Sequence, residues 1–562
     1  MISDTNLAYK KNGRAGAPAP ACPPRLVRYG GAAPSPAAAA EAHFARGTEL
    51  ATKGRRGEAI PEFREAIRLA PEHPRAHFNL GVALGIEKKH EEALACFQDA
   101  IRCQPDFAEA HYGLGNALIE LGRIEEAVAA FQCAVLKKPD FVDALHNLGM
   151  ALTRLGRGGA AEVFVRQALR LRPDAPETHN TLGLAYMEQG EFKLGQACFE
   201  KALDLNPRYA EAHTNLGSSY KEAGRPAEAV ACYDLALALE SESVTAHWNR
   251  SLALLQVGNF EHGWREYEWR WKRKETHPRP FKQPQWDGAP LGGRSILLHM
   301  EQGFGDMLQF IRYVPMVKEK GGSVVVAAPP TLMGLFETCG AEKVVPENQE
   351  LPACDLHCPI MSVPGLLGTT VTTIPTNVPY LAAEPAKVEH WRKRLSGLAG
   401  VKVGIVWQGN PRHKLDRHRS FPLTLLEPLA RIKNVSLVSI QKGAGSEQVP
   451  LLRDRFAILD VGADLTDFTD TAAVMKCLDV VVCCDTAVAH LAGALGVRVW
   501  VALATVSDWR WLLGRDDSPW YPTMRLFRQE RLGEWRPVFR RIAGAVDKVF
   551  AQLTNEALPS TF

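Results

Sequence analysis

No apolar run in the 562-residue sequence reaches the ~18–20 residues a helix needs to cross a bilayer. Residues 1–40 lack the hydrophobic centre of a signal peptide, being Ala, Pro and Gly with scattered Lys and Arg. Both absences favour a cytoplasmic protein with no integral membrane segment. Charge of either sign is barely in excess: 66 Lys and Arg stand against 63 Asp and Glu, a formal +3. No global field therefore draws the chain onto nucleic acid or an anionic membrane. Twelve cysteines show no disulfide-scaffold spacing, which fits a reducing compartment. One C-x-x-H-C run, Cys354, His357 and Cys358, has no second ligand pair near it. A structural role for it is favoured over a metal site. Finally, no D-x-D occurs after residue 285.

What is present is the composition of an ordinary globular protein, 46% hydrophobic and 23% charged, and a strong internal period. Gly47, Gly81, Gly115, Gly149, Gly183 and Gly217 recur every 34 residues, and Ser251 takes the next place. Ala59, Ala93, Ala127, Ala161, Gly195 and Ala229 follow in register, as do Phe63, Phe97, Phe131, Val165, Phe199 and Tyr233. Pro71, Pro105, Pro139, Pro173 and Pro207 close the units. Small residues let two antiparallel helices approach, the aromatic fills the gap to the next unit, and Pro ends the second helix. Cys96, Cys198 and Cys232 share one register position, as small buried hydrophobes would. The pattern resembles the tetratricopeptide repeat over about residues 41–275. Its seventh unit diverges, carries four tryptophans and reads as a cap that docks the solenoid onto the C-terminal half. Residues 1–40, with APAPACPP and APSPAAAA, read as a disordered leader.

A repeat superhelix offers a groove for an extended protein or peptide partner. Asn79, Asn147, Asn215 and Asn249 share one register position, where an amide can hold a peptide backbone with donor and acceptor. That resembles the asparagine ladder of the O-linked N-acetylglucosamine transferases, here interrupted by Gly113 and Thr181. An equally weighted alternative is that these amides bond neighbouring helices. His77, His111, His179, His213 and His247 also recur in register, too far apart to share a metal. Packing against the next helix is the reading favoured for them.

After Trp286 apolar strands alternate with helices: SILLHM (295–300), SVVVAAP (323–329), then VKVGIVW (401–407), VSLVSI (435–440), VVVCC (480–484) and VRVWVAL (497–503). Strands apolar throughout argue parallel sheets covered on both faces. Two such sets, 285–395 and 396–555, predict two Rossmann-like halves with a cleft between them, the GT-B layout. Ligands of such sheets lie at the carboxyl ends of strands. Three segments there carry chemistry. In EQGFGD, Gly303 and Gly305 permit a tight loop, and Asp306 is either a helix N-cap or a general base. The loop 407–423 gathers Arg412, Lys414, Arg417 and Arg419 after a strand end; a solvated basic loop is the plain alternative, and phosphate binding is the reading favoured. In CCDTAVAHLAGALG, Asp485, Thr486 and His490 lie at a strand-to-helix junction where amides and a hydroxyl can face a phosphate. Gln441 and Lys442, at another strand end, add candidate donor contacts. The aromatic run 507–527, with Asp508, Trp509, Trp511, Trp520 and Tyr521, reads as hydrophobic closure.

Together the three segments resemble the heptosyltransferase-like glycosyltransferases of family nine over about 290–550. Gly305-Asp306, Arg419 before Phe421-Pro422, and Asp485-Thr486 with His490 carry the match; Ala487 stands where that family has Gly. The resemblance implies Asp306 as catalytic base and Arg419, Asp485, Thr486, Ala487 and His490 around a donor diphosphate. The expectation is an inverting, metal-independent glycosyltransferase that uses a nucleotide sugar as co-substrate, with no further cofactor, and repeats that recruit a protein partner or acceptor. The rival expectation is a repeat scaffold with a catalytically inactive GT-B domain.

Overall fold

The protein is described here by a computed structural model covering residues 35–412 and 416–556, with side chains to residue 548. Most of the leader and Lys414 of the basic loop lie outside the described residues. The first helix, Pro36–Thr52, takes in residues 36–40, which composition had assigned to the leader. Its start is coded locally: Ser35 Oγ accepts from the Ala38 amide at 3.3 Å and Pro36 occupies the first turn.

From Pro36 to Tyr267 helices follow one another in pairs joined by short turns. Close approach within a pair needs the register glycines. A Cβ on Gly81 would stand 2.9 Å from the Phe97 ring of its own pair, and one on Gly113 would stand 2.6 Å from the same ring. Phe97, fully buried, therefore wedges between one unit and the next. The register histidines bond rather than merely pack. His77, His111, His179 and His213 each donate a ring N–H to the carbonyl of the proline six residues earlier, at 2.8, 3.1, 2.8 and 3.1 Å. Those prolines sit in the turn between units, so each histidine ties its helix to the turn that precedes it.

Two compact units make up the chain. Of the described residues, one comprises those up to Tyr220 with Leu235–Ser241, and the other Lys221–Asp234 with those from Glu242 onward. The last helix pair, Val244–Gln256 and Phe260–Tyr267, thus belongs to the second unit, and its Trp248, Phe260, Trp264 and Tyr267 lie in the same core as the strands.

Two parallel sheets fill the rest of the second unit. β1 (Ser295–His299), β2 (Ser323–Ala328), β3 (Lys343–Pro346) and β4 (Leu356–Pro359) are ordered β3-β2-β1-β4. β5 (Val401–Val406), β6 (Val435–Ser439), β7 (Ile458–Asp460), β8 (Val480–Cys484), β9 (Val499–Leu503) and β10 (Met524–Arg528) are ordered β10-β9-β8-β5-β6-β7. All pairings are parallel. Strand order reverses at β1/β4 in the first sheet and at β5/β8 in the second, the crevices where doubly wound sheets bind ligands. Buried Arg312 ties the two sheet regions together, donating to the carbonyls of Pro375 at 3.0 Å and Trp520 at 2.7 Å. Among the described residues no helix is long and apolar enough to cross a membrane.

Candidate functional site

The loop after β1 and the loop after β8, on different sheets, meet. The helix Phe304–Phe310 begins at the first loop and the helix Ala487–Ala494 at the second. Gly305 is where they touch: a Cβ there would lie 3.0 Å from His490 Cδ2 and 3.6 Å from the Ala487 Cα. Gly303 is extended, with φ −75°, and Gly305 lies in a helix, so neither serves a left-handed turn. What the loop requires of Gly305 is this close approach.

Asp306 sits in the first turn of the helix Phe304–Phe310 and its Oδ2 accepts from the Gly303 amide at 2.9 Å. That is the helix-capping role. Its Oδ1 accepts from the Arg510 guanidinium. Arg510 is buried and branches further, to Asp508 Oδ1 at 2.8 Å and Gln309 Oε1 at 2.8 Å. It lies within the aromatic run read as closure, where a single arginine among tryptophans carries no motif. The same run supplies Trp511, stacked on the His490 ring with centroids 5.2 Å apart, and Tyr521, whose hydroxyl is 2.9 Å from His490 Nδ1. Burial, with Arg510 and Arg312 nearby, holds the His490 imidazole well below its ordinary range, so it is a neutral hydrogen-bonding group.

Asp485 closes β8, and burial together with the Asp508 charge pushes its carboxyl up to about 6, against the pull of Arg419 and Arg510. Thr486 is the N-cap residue of the helix Ala487–Ala494, yet among the described residues no side chain caps that helix; the Thr486 hydroxyl turns to the Cys484 carbonyl at 3.4 Å. Arg419 is anchored by the buried Asp416 at 3.2 Å and lies against Gly409, where a Cβ would approach its Nη2 to 2.8 Å. Arg412 and Arg417 of the same loop are exposed.

Two expected donor contacts serve other purposes. The Gln441 amide is saturated: Oε1 accepts from the Trp407 and Gln408 amides, both at 3.1 Å, while Nε2 donates to the Gln408 and Ala444 carbonyls at 3.0 and 2.8 Å. It fixes the start of the basic loop and has no hydrogen-bonding capacity left for a ligand. The Lys442 ammonium is turned onto the carbonyls of Leu465 and Thr466.

The asparagines likewise bond helices. Asn79 donates to Thr48 Oγ1 at 3.3 Å, Asn147 to Asn116 Oδ1 at 2.8 Å and Asn215 to Asn180 Oδ1 at 2.9 Å, each to the preceding unit. Asn249 is buried in the helix Val244–Gln256 of the second unit. In the C-x-x-H-C run, His357 Nδ1 faces His299 Nε2 at 3.1 Å and the buried Cys358 thiol donates to the Pro359 carbonyl. Among the described residues no three His, Cys, Asp or Glu side chains cluster so as to hold a metal ion.

Comparison with known proteins places the repeats. The profile of the tetratricopeptide repeat matches residues 44–106, 87–135, 112–176, 180–238 and 214–262. The chain therefore carries tetratricopeptide repeats across 44–262, modules of protein–protein interaction. It is similar to protein FlbA of Caulobacter vibrioides, 29% identical over 324 residues that cover 53% of this chain and 54% of that protein. The chain thus spans about half the length of the curated relative it matches. Among solved structures it is similar to YrrB, a repeat protein with an unusual peptide-binding site (23% identity, 33% of this chain and 95% of that one, TM-score 0.29). It is also similar to a tetratricopeptide repeat protein of Parabacteroides merdae (18% identity, 41% and 91%, TM-score 0.36).

Proposed function

We propose that the second unit is a GT-B glycosyltransferase that moves a sugar from a nucleotide diphosphate donor to a hydroxyl acceptor with inversion, and that the repeats recruit a protein partner or acceptor. The observation that carries this reading is the meeting of the Asp306 loop and the Asp485–His490 segment at Gly305. Two segments from different sheets, each bearing polar groups at a strand end, converge at the strand-order reversals of two parallel sheets. In this reading Asp306 takes the proton of the acceptor hydroxyl, the acceptor oxygen bonds to the anomeric carbon, and the bond to the diphosphate breaks. Negative charge then grows on the departing diphosphate. Arg419 and the uncapped amides at the start of Ala487–Ala494 balance it, so the reading calls for no metal. His490, neutral and fixed by Tyr521, supplies a hydrogen bond. The Asn residues of the repeats do not enter the argument, because helix–helix bonds already account for three of them.

The rival reading, a repeat scaffold with an inactive GT-B domain, has its own observation: both Asp306 oxygens are engaged, by Arg510 and by the Gly303 amide. A carboxylate offers about four acceptor sites, so these bonds alone do not bar a hydroxyl. Asp306→Asn separates the two. If Asp306 is the base, turnover of a consumed sugar nucleotide falls by about 10²–10⁴-fold in a chain that still folds and binds the nucleotide. Unchanged turnover removes Asp306 from the chemistry, and no turnover by the native chain with any sugar nucleotide favours the scaffold.

A further inference from the structure

The repeat period assigns residues 244–275 to the solenoid, yet their side chains reach both loops of the site. Arg270 is 2% exposed and grips Glu301, the first residue after β1 and Met300, in a two-pronged pair: Nε to Oε2 at 2.8 Å and Nη2 to Oε1 at 3.0 Å. Glu301 Oε1 also accepts from the Met361 amide at 3.2 Å, and Arg270 Nη2 donates to Ser362 Oγ at 2.7 Å. The next residue, Gln302, donates to the Tyr267 hydroxyl at 2.9 Å. On the other loop, Gln256 Nε2 donates to the Ser507 carbonyl at 3.1 Å. Phe260, Trp264 and Tyr267 surround the Trp509 ring with centroids 6.2, 5.3 and 6.5 Å away. Trp509 immediately precedes Arg510.

A buried ion pair is a poor source of net stability, since desolvation offsets most of its attraction and apolar residues of like volume serve as well. What a two-pronged arginine–carboxylate pair provides is direction. We infer that the last helix pair of the repeat series, with the turn after it, is the positioning element of the site. Tyr267 and Arg270 set the Glu301–Asp306 loop, Gln256 and the ring cage set the Ser507–Arg510 loop, and together they bring Asp306 to Arg510. Tyr267 and Arg270 touch no reacting atom in this scheme and are positioning residues. The inference rests on the transferase reading for its meaning, though not for its test.

The test is hydrogen exchange of the full chain, native against Arg270→Met, Arg270→Lys and Tyr267→Phe. Arg270→Met is expected to speed exchange of amides 301–306 about tenfold, with strands β1 and β2 unchanged. Arg270→Lys, which keeps the charge and loses the fork, falls between. Tyr267→Phe removes one hydroxyl, leaves the fold intact and speeds exchange at 302–304 alone. Unchanged exchange at 301–306 in both Arg270→Met and Tyr267→Phe overturns the inference. So does an acceleration spread evenly through the second unit in Tyr267→Phe. Failure of the transferase reading shows instead as absent turnover in the native chain with this exchange pattern intact.

Discussion

Asp485 and His490 lie five residues apart at the head of one helix, and burial acts on them in opposite senses. The His490 imidazole loses its proton more readily than in water and the Asp485 carboxyl holds its own up to about 6. For Asp485 the folded state therefore binds the proton more tightly than the unfolded chain, whose carboxyl titrates near 4. Between about pH 4 and 6 the native state carries more protons at this site, so its contribution to stability falls as pH rises through that window. His490 has the opposite sign, contributing stability above about pH 6.5 that is lost as pH falls. Asp485→Asn isolates the first effect. Its melting temperature relative to the native chain is expected to be higher at pH 7.5 than at pH 4.5, and an equal difference at both contradicts it. That the Asp306 and Asp485–His490 segments lie at strand ends was legible, because the strands were apolar enough to locate; that the two segments meet at Gly305 was not. Gln441 was misassigned by the same rule, since position at a strand end does not reveal that an amide is already saturated. Arg510 was missed because two of its three side-chain partners, Asp306 and Gln309, lie about two hundred residues away in sequence.

At the scale of elements the repeat dominates, and its turns give a sharp prediction. Gly54, Gly122, Gly156, Gly190, Gly224 and Gly258 hold the turn inside each helix pair at φ between +69° and +84°, whereas the second pair places Lys88 there at φ +61°. A side chain in that region costs about 1–2 kcal/mol, part of which glycine returns through its freer unfolded chain. Lys88 is exposed, so Lys88→Gly removes no packing. It is expected to stabilise the repeats by about 0.5–1 kcal/mol in chemical denaturation, and a loss of stability contradicts the account. Six strands were legible as apolar runs; β3, β4, β7 and β10 were not. β7 spans three residues and β3 and β4 four each. In β10 Arg525 and Arg528 break up the apolar run of Met524, Leu526 and Phe527. Segments so short carry no period, and they join their sheets because a neighbouring strand offers its edge. The start of the first helix, residues 36–40, reads as leader for a different reason: alanine-rich composition hides the Ser-Pro start signal.

For the molecule as a whole, periodicity drew a boundary between repeats and sheets after residue 275, and the compact units divide elsewhere. A period reports which helices pair locally. Which core a pair joins is decided by long-range burial, here of Trp248, Phe260, Trp264 and Tyr267 with the strands, although the surplus of tryptophan in that unit marked it as a docking cap. The central claim is a working donor site between the Asp306 and Asp485 loops. It is tested most directly by thermal unfolding of the full chain with UDP, GDP, ADP and their hexose conjugates. A ligand that binds only the native state raises the melting temperature, by about 3–6 °C at a hundredfold excess over Kd. The account predicts such a rise with one nucleotide class and its loss in Arg419→Ala, measured against that variant's own ligand-free value. No rise with any nucleotide, or the same rise in Arg419→Ala, would contradict it.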